Sequence, residues 1–216
     1  MLKAQQLACL RGERVVFANL SFTVAPGEAL LLVGANGAGK SSLLRLLAGL
    51  LAPAEGQLLW QGEDALADRP AHAKRLRYLG HGDALKPALT AAENLHFYAR
   101  LWGGSVAQAL AAVGLEALAD LPARILSSGQ KRRLALARLA LAPCPLWLLD
   151  EPTVGLDAAS VAQLAGLFAA HRAQGGMLLA ATHLPLPLPD ARELSFPSDG
   201  RSADGREGLN RPGIIA

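Results

Sequence analysis

The sequence predicts an α/β fold built on a parallel sheet, with a helical insertion and functional residues along one sheet edge. Three observations carry that prediction. An apolar run, Ala29 to Val33, feeds a glycine-rich loop and then a helical stretch from Ser41 to Leu47. A second run, Leu146-Trp147-Leu148-Leu149, lies between Pro145 and Asp150 and reads as a central parallel strand buried on both faces. A third, Met177 to Ala181, follows a helical stretch over roughly 158–172 and the turn Gly175-Gly176.

The remaining elements follow in order. Residues 7–33 read as strands with short turns: Val15-Val16-Phe17 is β-branched and aromatic, Leu20 to Val24 alternates with period two, and Pro26-Gly27-Glu28 is turn chemistry. Pro53 lies past the end of the first helix, and Gly56 to Trp60 is a further short strand. Arg77 to His81 is a strand running into a loop. Thr90-Ala91-Ala92-Glu93 is a capping box before a helix that Gly103-Gly104 breaks. Val106 to Val113 is a second helix and Leu115 to Asp120 a third, so residues 83 to about 126 form an inserted helical subdomain. A helix from Gly129 to Ala142 returns the chain to the core, and Leu184 to Pro189 is an extended connector. Ser198 to Ala216 holds few apolar groups and is expected to be disordered. The domain is thus expected over residues 1–190, with a largely disordered extension over 191–216.

At 216 residues and 51% hydrophobic composition, one domain with a sizeable core is expected. The formal charge of +3 comes without a Lys/Arg block interleaved with aromatics, so no nucleic-acid partner is expected. Lys74-Arg75-Leu76-Arg77 and Lys131-Arg132-Arg133 read as solvated faces or as rims of an anion site. Cys9 and Cys144 stand far apart, with no C-x-x-C, and read as idle thiols in a reducing compartment. No apolar run approaches the ~20 residues that cross a bilayer, and Met1 to Leu10 lacks a signal-peptide layout. A cytosolic chain is expected, with any membrane contact made through a partner.

The loop Gly34-Ala35-Asn36-Gly37-Ala38-Gly39-Lys40-Ser41 fits G-x-x-x-x-G-K-[ST]. Its glycines permit a tight turn that aims backbone N–H groups at phosphate oxygens, and the helix opening at Ser41-Ser42 adds its positive dipole end. Lys40 is expected to reach the β- and γ-phosphates, and the Ser41 hydroxyl to ligate Mg²⁺. Downstream, the apolar strand ending in Asp150-Glu151 delivers two carboxylates to the same sheet edge. Asp150 is expected to hold the Mg²⁺ hydration shell, and Glu151 to polarise the attacking water as general base.

Leu126-Ser127-Ser128-Gly129-Gln130 resembles the L-S-G-G-Q signature of ATP-binding cassette (ABC) ATPases, with Ser128 where glycine is usual. Ser127-x-x-Gln130 also reads as a capping box, and a cap and an anion site use the same orphan N–H groups. The resemblance continues in Gly155-Leu156-Asp157, similar to the family's D-loop, and in Thr182-His183, similar to its switch histidine. It spans residues 34–183 in the family's order and implies a RecA-like P-loop core with an antiparallel β subdomain and an inserted α-helical subdomain. It also implies ATP and Mg²⁺ as ligands and a second copy of the chain as partner. Ser127, Ser128, Gly129 and Gln130 of one copy would close over the γ-phosphate held by the other. Asp157 would cross that interface, and His183 would contact the γ-phosphate and orient the water or Glu151.

Two positions depart from the family pattern. The place of its adenine-stacking aromatic falls on Arg11, whose guanidinium can also stack on a base. The place of its Q-loop glutamine falls on His81, which can still hydrogen-bond toward metal-bound water. Tyr78-Leu79-Gly80-His81, Leu85-Lys86, Leu89 to Leu95 and Phe97-Tyr98 resemble the ATP-binding subunit of the bacterial cytochrome c maturation system. That resemblance implies two copies beneath integral membrane subunits, peripheral at the cytoplasmic face of the inner membrane. The coupled event would be haem export, or release of a haem-loaded chaperone. His72, His96 and His171 read as scattered polar-face or loop histidines, none assigned to haem. An ABC ATPase for another cargo shares every catalytic residue. A soluble ABC ATPase acting on DNA or the ribosome fits less well, since the chain has one cassette, a short helical insertion and no basic stripe. A GTPase should carry an N-K-x-D-type guanine reader, and the sequence has none.

Overall fold

The computed structural model describes residues 1–196. Two β-strands, β1 (Leu2–Arg11) and β2 (Arg14–Val24), form a hairpin, and β3 (Ala29–Val33) leads into the glycine loop and α1 (Lys40–Leu47). Then come β4 (Glu55–Trp60), β5 (Glu63–Asp64), α2 (Arg69–Lys74) and β6 (Leu76–Leu79). The insertion holds α3 (Ala91–Trp102), α4 (Val106–Ala111) and two single-turn 3₁₀ segments at Glu116–Leu118 and Ala123–Ile125. The core resumes with α5 (Ser128–Ala137), β7 (Leu146–Asp150), α6 (Ala158–Ala173), β8 (Met177–Ala181) and β9 (Arg192–Ser195).

The strands form two sheets. One is antiparallel, in the order β2-β1-β4-β5; the other is parallel, in the order β6-β7-β8-β3-β9. β7 and β8 are buried along their whole length, which is why they read as unbroken apolar runs. In the parallel sheet Leu79 pairs with Leu149, Asp150 with Ala181, and Ala181 with Leu32. That register brings the carboxyl ends of β6, β7, β8 and β3 into one row, the edge where ligands of open α/β sheets bind.

Three apolar cores hold the layers. Leu43, Leu44, Leu46 and Leu47 of α1 fill the space between the two sheets. Phe168 of α6 and Leu136 of α5 pack on the other face of the parallel sheet. The insertion has its own core around Leu95, Leu110 and Leu115, closed by Leu134 and Ala137 of α5. α5 therefore belongs to both bodies. The Thr90–Glu93 capping box has both of its reciprocal bonds, and Gly103 at φ 85° ends α3. The return helix is shorter than its sequence suggests: α5 stops at Ala137 and tightens to a 3₁₀ turn over Arg138–Ala140.

The structure corrects several expectations. The ordered core does not end at residue 190: β9 pairs in parallel with β3, and Phe196 is buried with its ring edge-on to Phe17. Alternating apolar Leu194 and Phe196 supply the reason, since they cover the core beside the glycine loop. The expected disorder of 198–216 lies outside the described residues. His72 and His171 are buried rather than scattered over polar faces. Nε2 of each bonds a main-chain carbonyl, that of Leu47 at 2.8 Å and that of Met177 at 3.0 Å, while His96 is exposed. The two basic clusters are only partly solvated, because Arg77 and Arg132 are buried; the Arg77 guanidinium lies 4.0 Å from the Trp102 ring centroid. Cys9 and Cys144 are buried free thiols whose pKa burial raises.

Candidate active site

The glycine loop takes the shape its motif requires. Gly34, Gly37 and Gly39 have φ of 146°, 80° and 110°, a region L-side chains rarely adopt. The loop is also tightly covered. A Cβ on Gly34 would lie 2.9 Å from the Phe196 carbonyl, and one on Gly39 would lie 2.7 Å from Cγ1 of Val16. Gly39 caps α1 with no side-chain hydrogen bond. Among the described residues the first-turn N–H groups at Lys40, Ser41 and Ser42 thus have no capping side chain at the positive end of the helix, the arrangement that receives an anion. Lys40 is buried, and its Nζ donates to the carbonyls of Gly34 at 2.6 Å and Ala35 at 3.0 Å. Its ammonium sits beneath a loop whose Ala35, Asn36 and Gly37 are exposed.

α1 stands over β7, so the hydroxyl of Ser41 meets the end of that strand and donates to Asp150 Oδ1 at 3.0 Å. Asp150 is buried, and its Oδ2 has no hydrogen-bond partner among the described residues. A buried, half-satisfied carboxylate beside a hydroxyl is a donor set of hard oxygens that suits a small divalent cation.

The next residue turns sharply. Glu151 has φ 51°, uncommon for a non-glycine residue, and its N–H donates to the Ala181 carbonyl at 2.8 Å. The turn carries its carboxylate off the strand toward the loop after β8. There Oε1 lies 3.0 Å from Nδ1 of His183, and Oε2 accepts from the His183 backbone N–H at 3.4 Å. The Glu151 side chain is 13% exposed and that of His183 is 53% exposed, so the pair opens toward solvent from the His183 side.

The other expected positions cluster elsewhere. Ser127 caps α5 by accepting from the Gln130 N–H at 3.2 Å, while the Gln130 side chain accepts from the Ser127 N–H at 2.8 Å. Ser128 begins the helix and is exposed. The glycine that meets close backbone is Gly129, where a Cβ would lie 3.0 Å from the Gly155 carbonyl. Asp157 caps α6 by accepting from Ser160 N–H at 2.8 Å. Hydrogen bonds from Ser160, side chain first and then backbone, hold its carboxyl below the ordinary carboxylate value. The signature thus abuts the Gly155–Asp157 turn. Among the described residues no hydrogen bond joins Ser127–Gln130 to the glycine loop of the same chain.

His81 is exposed just past β6, on the same sheet edge as Glu151 and His183. Arg11 is exposed at the tip of the β1–β2 hairpin, paired in register with Arg14; the β2 residues beside Gly39 of the glycine loop are Val16 and Phe17. Sequence reasoning read Val16 only as a strand residue. It also missed Arg132 and Asp83, whose ion pair at 3.0 Å lies beside the Glu151 turn. A signal for Arg132 existed: helical spacing puts it on the face of Ala135, Leu136 and Leu139, all buried.

The ABC transporter family pattern matches residues 17–154. The chain is 55% identical over 198 residues to the cytochrome c biogenesis ATP-binding export protein CcmA of Paramagnetospirillum magneticum, covering 88% of this chain and 91% of that protein. It is 48% identical over 190 residues to the protein of the same name from Yersinia pestis, covering 86% and 87%. Its fold matches an ATP-binding subunit of an ABC transporter with a TM-score of 0.82 at 25% identity, over 93% of this chain and 87% of that one. The fold also matches a dimeric ATP-binding cassette bound to ADP and Pi, with a TM-score of 0.81 at 23% identity over 94% and 97%. The chain belongs to the ATP-binding subunits of ABC transporters, in the CcmA group of cytochrome c biogenesis ATP-binding export proteins.

Proposed function

We propose that this chain hydrolyses ATP as the motor subunit of a membrane complex for c-type cytochrome biogenesis, coupled to haem export or to release of a haem-loaded chaperone. The carrying observation is the convergence of Ser41 with Asp150 and of Glu151 with His183 on one sheet edge beside the glycine loop. The likeness to proteins named for cytochrome c biogenesis and export supports the cargo.

The roles follow from position. Backbone N–H groups of Gly34–Ser42 and the Lys40 ammonium receive the β- and γ-phosphates. Ser41 and Asp150 would hold Mg²⁺, which supplies charge neutralisation at the phosphates when bound. Glu151 accepts a proton from the attacking water, and the bond to His183 Nδ1 fixes the carboxylate's direction. His81, exposed on the same edge, would bond water near the metal. Arg11 would stack on the adenine, at the tip of the hairpin whose second strand passes beside Gly39.

The signature residues Ser127, Ser128, Gly129 and Gln130 sit with Asp157 away from their own loop, which supports a site completed by a second copy. Among the described residues no helix is long and apolar enough to cross a membrane, consistent with a peripheral subunit held by membrane partners at the cytoplasmic face of the inner membrane. A cavity of about 220 Å³ between the core sheet and the insertion is lined by Arg77, Tyr98, Trp102 and Arg138.

The test is haem staining of c-type cytochromes in membranes of cells lacking the chain. Staining should return with the wild-type chain and not with Glu151→Gln. Unchanged staining in the deleted strain moves the cargo elsewhere and leaves the ATPase intact.

A further inference from the structure

Arg132 has no part in the chemistry above, yet it is 4% exposed and lies against the general-base turn. A guanidinium carries five N–H donors in a rigid planar fork. Here every one has an acceptor. Nη2 donates to the carbonyls of Asp150 and Glu151, both at 2.7 Å, and Nε donates to the Pro152 carbonyl at 3.2 Å. Nη1 donates to the Gly80 carbonyl at 3.3 Å and to Asp83 Oδ1 at 3.0 Å.

These acceptors come from two loops. Three successive carbonyls belong to the turn in which Glu151 takes its left-handed φ of 51°. Such a backbone is strained for a non-glycine residue and persists only where its surroundings over-determine it. The other two acceptors belong to the loop after β6, which also carries His81. The donor itself sits on α5, four residues past Ser128 at the helix start, and α5 is shared between the core and the insertion.

We propose that Arg132 is a positioning residue for ATP hydrolysis. It holds the Asp150–Pro152 turn in the conformation that aims Glu151 at His183, and it ties that turn to the Gly80–Asp83 loop and to the signature helix. A displacement of α5 or of that loop is thereby transmitted to the general base. The inference rests on the reading of Glu151 as that base. Lysine does not replace arginine here, because a point ammonium with three donors cannot span five acceptors in a plane.

The test compares steady-state ATPase kinetics, binding of a fluorescent ATP analogue and thermal unfolding for Arg132→Lys, Glu151→Gln and the double variant. Arg132→Lys should lower kcat by about 10–100-fold with analogue affinity and unfolding midpoint retained, since small misplacements of a reacting group cost that much. In the Glu151→Gln background, Arg132→Lys should leave residual hydrolysis unchanged, because groups that act as a unit are non-additive. Wild-type kcat in Arg132→Lys overturns the proposal. So does an equal further loss in the double variant, which marks a purely structural role. If Arg132→Lys does not fold, Asp83→Ala decides, since it removes the charged acceptor on the β6 loop and leaves the bonds to Gly80 and to the Asp150–Pro152 turn in place: lowered kcat with affinity retained supports the tie, and wild-type kcat overturns it. A Glu151→Gln chain that hydrolyses at the wild-type rate removes the base reading, and this proposal with it. An inactive Glu151→Gln beside a fully active Arg132→Lys removes only the positioning role.

Discussion

Oε1 of Glu151 lies 3.0 Å from Nδ1 of His183, joining two residues from the ends of neighbouring parallel strands. Neither strand alone aims its polar residue at the other. The left-handed turn at Glu151 does so, by swinging the carboxylate off β7 toward the loop that follows β8. Glu151→Gln keeps the shape and removes the basicity. Hydrolysis should fall by about 10²–10⁴-fold while ATP binding is retained, as single-turnover phosphate release and equilibrium nucleotide binding will show. His183→Ala should lower hydrolysis in the same direction by a smaller factor.

Lys40 holds two loop carbonyls from below, and its ammonium is the charge proposed to meet phosphate. Lys40→Ala should abolish nucleotide-induced stabilisation. In the wild type, ATP at a hundredfold excess over Kd should add about 2.7 kcal/mol, read as a rise in the thermal midpoint. In the variant that rise should vanish.

Ser41 and Asp150 are predicted to make ATP binding metal-dependent. Chelation of Mg²⁺ should weaken ATP binding and stop hydrolysis in the wild type. Asp150→Asn should bind ATP with the same affinity with or without Mg²⁺. Titration calorimetry in both conditions checks this directly.

Acid should destabilise the fold through two buried histidines. Desolvation is the largest influence on both His72 and His171 and lowers their pKa, against a weaker raising effect of the carbonyls they bond. In the unfolded chain each imidazole takes up its proton near pH ~6.5. The unfolded state therefore binds more protons as pH falls below that value, so this stability is present above it and is lost toward the lowered folded pKa. The unfolding midpoint should drop between about pH 7.5 and about pH 5.5. The drop should be smaller in the His72→Gln, His171→Gln double variant.

The seat of the helical insertion should tolerate no side chain at Gly104. Its φ is 94°, and a Cβ there would collide with the Leu141 carbonyl. Gly104→Ala should destabilise by about 1–3 kcal/mol from the backbone alone, with the collision adding to that. Urea unfolding measures the loss.

Much of the site was legible because its chemistry depends on contiguous residues. Gly34 to Ser41 needs its glycines and its Lys-Ser at fixed offsets, and the Asp150-Glu151 pair needs an apolar strand before it. The Thr90–Glu93 and Ser127–Gln130 capping boxes were readable for the same reason: a cap reaches three residues and no further. β9 was not legible, because Arg-Glu-Leu-Ser lacks the apolar run of a buried strand; among the described residues it pairs with β3 alone. His72, His171, Arg77 and Arg132 were misjudged for a different reason. A polar side chain is buried only where distant main chain or an aromatic ring supplies its partners, and those partners are remote in sequence.

The α/β class, the phosphate loop and the acid pair are readable from periodicity and fixed local spacing, and the family from the resemblance that its short motifs carry. The meeting of Ser41 with Asp150, the turn of Glu151 to His183 and the gathering of five acceptors from two loops by one guanidinium of α5 emerge only once the chain is folded. The physical reason is that strand register and layer packing set which chain ends become neighbours, and neither is written in any short stretch of residues.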